Sequence, residues 1–268
     1  MKTVVLQSYR TEGVPAWIVR CIESVRDWAA RQGYAHQFIG DSLFERVPGH
    51  LRARTDIPRL ALTDLARLGL LREQLASGYD RVVWMDADIL VFQPEAFRLP
   101  ACDGALLCHE VWTELDAAGR LVAQNKLNNA MMLFERGHPL LDFLAYTGRR
   151  MLELTRPEHL HPVMLGPRLL TGLAQQLPID ANTQIANLSP VLLRALARGD
   201  APQLLAEFMR MHGFPVHAAH LCGSLADSTD QRMTGANRVA LSEDDLLTVV
   251  TRLLSTRGSD LPAPGQPA

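Results

Sequence analysis

Arg81-Val-Val-Trp-Met-Asp86-Ala-Asp88-Ile-Leu-Val-Phe92 decides how this chain folds. An apolar run leads into two carboxylates separated by Ala87, and four apolar residues follow. A run this short and this β-branched predicts a buried strand of an α/β sheet. Two carboxylates buried there without partners would be costly, so they should sit at the strand's carboxyl end, facing something positive. Open α/β sheets bind their ligands beyond the carboxyl ends of the strands. Hard carboxylate oxygens suit Mg²⁺ or Mn²⁺, and a divalent cation carrying a diphosphate is the natural occupant. The plain alternative is an Asp pair that caps a helix or pairs with an arginine.

Upstream, residues 3–6 read as a first buried strand ending in Gln7-Ser8-Tyr9-Arg10. Residues 14–31 follow as a helix, with Trp17, Ile18, Cys21, Ile22, Val25, Trp28 and Ala29 on one face. Residues 34–39 read as a second strand, so the opening predicts a right-handed crossover and parallel pairing. Residues 41–55 read as a polar, mobile surface loop, and residues 57–76 as a helix carrying Asp64 and Arg67. Downstream, residues 105–108 and 127–134 read as strands, with a helix from Gly137-His138-Pro139 to about Met151. Beyond residue 150 the signals are mostly helical, at 163–176, 191–197, 202–211 and 243–254, with a short segment at 216–220 running into Leu221-Cys-Gly-Ser224. Residues 257–268, rich in Pro and Gly, read as a disordered tail. One α/β domain over 1–256 is expected, its half beyond residue 150 mostly helical.

The 268 residues, 47% hydrophobic and 21% charged, suffice for a sizeable core. A net charge of −2 leaves no electrostatic footprint for nucleic acid or for a membrane surface. Of 27 basic residues only Lys2 and Lys126 are lysine, a skew that codon bias explains. Cys21, Cys102, Cys108 and Cys222 form no CxxC pair and read as buried free thiols of a reducing compartment. No signal peptide and no transmembrane run is visible, so a soluble cytoplasmic protein is expected.

A metal needs more ligands than two Asp, and His217 and His220, with Gly223 and Ser224 close behind, stand in a strand-to-loop setting that suits one. His220 is the favoured ligand and His217 the alternative; imidazole nitrogen suits Mn²⁺ better than Mg²⁺. Each read alone is an ordinary, partly buried histidine, as are His159, His161 and His212. Asp64 and Arg67, three apart on a helix, share a face that either reaches the cleft or forms a solvated ion pair. Asn128-Asn129, opening an apolar strand, is either a turn former or a pair of hydroxyl-binding amides.

Asp86-Ala-Asp88 after an apolar strand resembles the DXD motif of glycosyltransferases with the GT-A fold. Thr63-Asp64-Leu-Ala-Arg67 and Gly166-Pro167-Arg-Leu-Leu-Thr171 resemble elements of the family 32 "sugar-binding region containing DXD motif" proteins. Leu127-Asn128-Asn-Ala-Met-Met-Leu133 resembles the Asn-x-Gly strand of family 8, with Ala130 in place of its Gly. His220-Leu-Cys-Gly223-Ser224 resembles the closing His-x-x-Gly element of several retaining families, with Leu225 where family 32 has Trp. The resemblance implies a GT-A-like mixed sheet flanked by helices and metal-dependent transfer of a hexose from a nucleotide sugar, UDP-linked by preference, with retention through front-face attack. It implies Asp88, Asp86 and His220 as ligands of Mn²⁺ or Mg²⁺. Gln7, Ser8 and Tyr9 would contact the nucleotide, Asp64 and Arg67 the donor sugar and diphosphate, with Ala87, Gly223 and Ser224 in the donor site; residues 1–150 would form the nucleotide-sugar-binding half and 151–256 the acceptor-side half. Asn128, Asn129, Gly166 and Pro167 would border a hydroxyl acceptor: a saccharide, a lipid-linked saccharide or a small metabolite. The rivals are a nucleotide-sugar binder without turnover and a haloacid-dehalogenase-type phosphatase, which needs a charge-balancing Lys and its motif on the first strand.

Overall fold

The structure, a computed structural model, describes residues 1–223 and 239–264. It opens with β1 (Thr3–Ser8), α1 (Ala16–Arg31) and β2 (Ala35–Ile39), and β2 pairs parallel with β1, Val4 opposite Ala35. A parallel neighbour requires a crossover, and α1 supplies it. Its buried stripe is Trp17, Ile18, Cys21, Val25, Trp28 and Ala29, and the Trp28 indole N–H donates to the Phe97 carbonyl at 3.0 Å.

The segment expected as a mobile loop is structured. It forms a 3₁₀ turn (Asp41–Arg46) and α2 (Gly49–Arg52), and buries Leu43, Val47 and Leu51. Three apolar residues dispersed among arginines give no periodic signal, yet together they cover one end of the core. Next come α3 (Arg59–Ala76), β3 (Arg81–Met85) and β4 (Ile89–Val91). The two strands expected at 105–108 and 127–134 are the inner ends of a long hairpin, β5 (Ala105–Leu115) and β6 (Leu121–Glu135). Its turn is closed by Asp116, whose Oδ1 accepts from the N–H groups of Ala118 and Arg120, both at 2.9 Å. The outer rungs carry Glu110, Glu114, Gln124 and Asn125, so an apolar-run reading stops short of them.

The second half holds α4 (Pro139–Leu154), a π-helical turn (Met164–Arg168), α5 (Leu169–Ala174), β7 (Asp180–Asn182), β8 (Ile185–Asn187), α6 (Pro190–Arg198), α7 (Pro202–His212), β9 (Ala218–His220) and α8 (Glu243–Thr256). The fold is therefore α/β, a mixed sheet flanked by helices with a largely helical second half. The six-stranded sheet has order β2-β1-β3-β6-β5-β7, and a three-stranded sheet has order β4-β9-β8. Along β1 and β3, Val4, Leu6, Val82 and Trp84 face the core under α3 and α4, while Val5, Val83 and Met85 face the core under α1. Both faces are covered, which is why these strands read as continuous apolar runs.

α8 starts at a capping box in which Ser242 and Asp245 satisfy each other's backbone N–H. Residues 257–264, expected as part of a disordered tail, turn back onto the body. Arg252 pairs with Asp260 at 2.7 Å and Leu261 is buried. Among the described residues no helix is long and apolar enough to cross a membrane. The four cysteines are free; Cys21, Cys108 and Cys222 are buried and Cys102 is half-buried.

Candidate metal and cleft site

Asp86 and Asp88 stand where the chain leaves one sheet for the other. The Asp86 N–H makes the last rung of the large sheet, donating to the Ala130 carbonyl at 2.8 Å, and its carbonyl accepts from Ile89 N–H at 3.1 Å as the chain turns. The chain then resumes as β4, antiparallel to β9, with Ile89 opposite His220. That register sets His220 beside the carboxylates: its Nε2 lies 3.3 Å from Asp88 Oδ1 and 3.9 Å from Asp86 Oδ2. One ligand atom from each of Asp86, Asp88 and His220 falls within 4.8 Å of the others.

The histidine ring is held in a defined orientation. Asn187, on β8, donates its amide to the His109 carbonyl at 2.8 Å, which fixes its oxygen toward His220. That oxygen accepts from His220 Nδ1 at 2.9 Å and from Asn128 Nδ2 at 2.8 Å. Nδ1 donates to Asn187, so Nε2 is the ring nitrogen turned to the carboxylates; Asp88 helps hold the imidazole above its ordinary range, and Nε2 is the atom that would ligate a metal once its proton is displaced. Two hard oxygens and one imidazole nitrogen fit a divalent cation such as Mn²⁺. Gly223 closes the other side: its N–H donates to Asp88 Oδ2 at 2.7 Å, and a Cβ there would lie 2.6 Å from the Trp17 ring. The carboxylates are driven apart electrostatically. Burial raises Asp86 above the usual carboxylate range, whereas at Asp88 the desolvation is outweighed by His220 and the Gly223 amide, which hold it low.

Arg67 supplies the positive charge that buried carboxylates demand. It reaches Asp86 at 3.0 Å and Asp64 at 3.3 Å, donates to the Asn129 carbonyl at 2.9 Å, and lies 4.8 Å from the centre of the Trp84 ring. The Trp84 indole donates to Asp86 Oδ1 at 2.7 Å. Asp64 and Arg67 are only 4% and 3% exposed, which rules out the solvated ion pair. Burial pushes Asp64 up to about 6 against the pull of Arg67 and a hydrogen bond from Asn129.

A cleft of about 780 Å³ opens over these groups, lined by Ser8, Tyr9, Asp64, Arg67, Asp86, Ala87, Asp88, Asn128, Asn129, Pro167, His220 and Gly223, among others. Two expected site residues do not line it. Gln7 is fully buried, its Nε2 donating to the Asp86 carbonyl at 3.3 Å and its Oε1 beside His36 Nε2 at 3.0 Å. It supports the Asp86 turn from behind and cannot touch a nucleotide. Gly166 is buried too, so close to Asn129 that a Cβ would lie 2.6 Å from Asn129 Oδ1; it sets the Asn129 side chain and does not border an acceptor. His217 lies apart, its Nδ1 2.8 Å from Gln93 Oε1. Ser224 lies outside the described residues. Sequence reasoning passed over Asn187, Glu110, Trp112 and Lys126 and read His161 as an ordinary histidine; all of these but Asn187 line the cleft. Strand alternation along 110–114, which sets Glu110 and Trp112 on one face, was the available signal for two of them.

No family profile matches this sequence, and no curated protein matches it. Among solved structures, the chain is similar to a glycosyltransferase involved in glycosylation of the major capsid of PBCV-1, at 12% identity and a TM-score of 0.49, over 83% of this chain and 94% of that one. It is similar to mouse xyloside xylosyltransferase 1 at 12% identity and a TM-score of 0.41, over 83% and 98%. It is also similar to a mutant of Drosophila β1,4-galactosyltransferase 7 solved with manganese, UDP-Gal and xylobiose, at 18% identity and a TM-score of 0.29, over 59% and 66%.

Proposed function

We propose that this chain is a metal-dependent glycosyltransferase that moves a hexose from a nucleoside diphosphate sugar, UDP-linked by preference, to a hydroxyl acceptor. The observation that carries the reading is the Asp86, Asp88 and His220 cluster at the mouth of a central strand, opening into a cleft large enough for a nucleotide sugar. Asp88 and His220 would hold the ion, with Asp86 shared between it and Arg67. When bound there, a divalent cation would supply neutralisation of the charge on a departing diphosphate. Arg67 adds a second cation to the same floor, fixed by Asp64 and Trp84 and so oriented before any ligand arrives. Ser8 and Tyr9, at the end of β1, would border the nucleotide; Asn129, whose amide donates to Asp64, lines the same cleft where the sugar would lie. A saccharide hydroxyl is the favoured acceptor.

The second reading is a nucleotide-sugar binder without turnover, in which the Asp86 oxygen that Arg67 already engages would stay with the arginine. A phosphatase of the haloacid-dehalogenase type gains nothing from the site: Asp86, its nucleophile, is paired with Arg67 and Trp84, and β1 rather than β3 opens the fold.

A Mn²⁺-supplemented panel of UDP- and GDP-sugars separates these. Slow hydrolysis of one UDP-sugar is expected, abolished by EDTA and lowered about 10²–10³-fold in Asp88→Ala. Binding with no hydrolysis establishes the second reading; hydrolysis that survives EDTA and Asp88→Ala removes the metal from the account.

A further inference from the structure

We propose that Glu110 takes the proton of the acceptor hydroxyl, on a subsite that the β5–β6 hairpin adds to the cleft; the proposal rests on the glycosyltransferase reading above. Glu110, Trp112 and Glu114 alternate along β5 and so stand on one face, with Lys126 opposite Glu110 in register. All four line the cleft. The Trp112 indole N–H donates to Glu114 at 3.0 Å, so an apolar ring is flanked by carboxylates. That combination suits a sugar, whose C–H face lies on the ring while its hydroxyls reach the oxygens.

Glu110 is the group in this wall that asks for a ligand. It is 6% exposed and hydrogen-bonds Asn128, yet its Oε2 is buried with no hydrogen-bond partner among the described residues. Buried carboxylate oxygens are nearly always satisfied, and an exception in a cleft wall marks where a donor arrives. Asn128 is also the link to the metal cluster. Its Nδ2 donates to the Asn187 oxygen that holds His220, so Glu110 joins the Asp88 cluster through two amides. Burial raises the Glu110 carboxyl above its ordinary range against the pull of Lys126, which strengthens it as a base.

In the transfer, the hydroxyl O–H bond breaks and its proton passes to Glu110 Oε2. The oxygen's electron pair forms the bond to the anomeric carbon. The bond from that carbon to the phosphate oxygen breaks, its pair leaving on the nucleoside diphosphate. This differs from the front-face course implied by the resemblance, in which the leaving phosphate takes the proton.

The test uses water in place of the unidentified acceptor: hydrolysis of the UDP-sugar panel in Mn²⁺ by the full chain, Glu110→Gln and Glu110→Asp, with UDP affinity measured for each. Glu110→Gln is expected to lose 10²-fold or more in hydrolysis with UDP affinity unchanged within twofold, and Glu110→Asp to recover part of the loss. Hydrolysis by Glu110→Gln within threefold of the parent overturns the proposal and leaves the glycosyltransferase reading standing. So does parallel loss of UDP affinity, which marks a structural role; UDP binding by the parent without hydrolysis overturns the proposal together with the glycosyltransferase reading and establishes the binder without turnover. Absence of metal-dependent UDP binding in the parent overturns both.

Discussion

The six-stranded sheet has strands of up to 15 residues with both faces in apolar cores, whereas each strand of β4-β9-β8 has three. The large sheet delivers Asp86 through a continuous run of ladder bonds. The small one delivers His220 by joining segments more than a hundred residues apart, residues 89–91 with 218–220. The first rests on long apolar strands, β3 parallel to β1 and antiparallel to β6; the second needs the rest of the protein already in place. The Asp86, Asp88 and His220 cluster exists only where the two meet, so its histidine depends on long-range closure.

Substitutions on either side should separate these dependencies, and Arg67 should give the largest stability effect. Arg67→Met leaves Asp64 and Asp86 buried without their cation, an expected loss of about 3–5 kcal/mol in urea unfolding. Unchanged stability would mean that both carboxyls are neutral in the folded chain, and the large-sheet side would lose its charged floor.

On the small-sheet side the expected effect is smaller and depends on pH. His212, at the end of α7, is buried and hydrogen-bonds the Thr183 carbonyl at 2.8 Å, just before β8. Burial holds it down, from 6.5 to about 4. Its folded value lies below its unfolded one, so the unfolded chain takes up the proton first and stability is lost as pH falls from 6.5 toward 4. The loss is on the order of 3 kcal/mol at most. Asp64, raised by burial to about 6, works in the opposite sense over much of the same window: it keeps its proton in the folded chain where the unfolded chain has released it. The informative quantity is therefore the difference between the parent and His212→Gln, whose stability should fall less steeply between pH 6.5 and 4. Parallel curves would contradict the assignment.

The legible parts of the fold were those with a local cause. The Asp86 strand, α1, the parallel opening and the helices after residue 150 follow from apolar period and from segment length. Asp64 beside Arg67, and His220 in preference to His217, followed from spacing combined with a family resemblance. The outer hairpin was not legible, because its rungs from Glu110 to Leu115 are polar on the cleft side and the bulge between Leu107 and Cys108 breaks the alternation. β8 and β9 are too short for any period to register. Asn187 carries no motif; its role appears only when β8 is laid against β9. Gln7 reads as exposed at a strand end, yet its amide is spent on the Asp86 carbonyl and on His36. Leu261 is a single apolar residue in a Pro- and Gly-rich stretch, too little to predict that 257–264 would fold back.

The central claim, one divalent ion held jointly by the two sheets, is tested most directly by Mn²⁺ titration of the parent chain, Asp88→Ala, His220→Ala and Asn187→Leu. The parent should bind a single ion. Asp88→Ala and His220→Ala should each weaken it by tenfold or more, and Asn187→Leu, which frees the imidazole to turn, by about 10–100-fold. Undiminished Mn²⁺ affinity in His220→Ala and Asn187→Leu alike would mean that the small sheet takes no part in the site, and the account would be wrong.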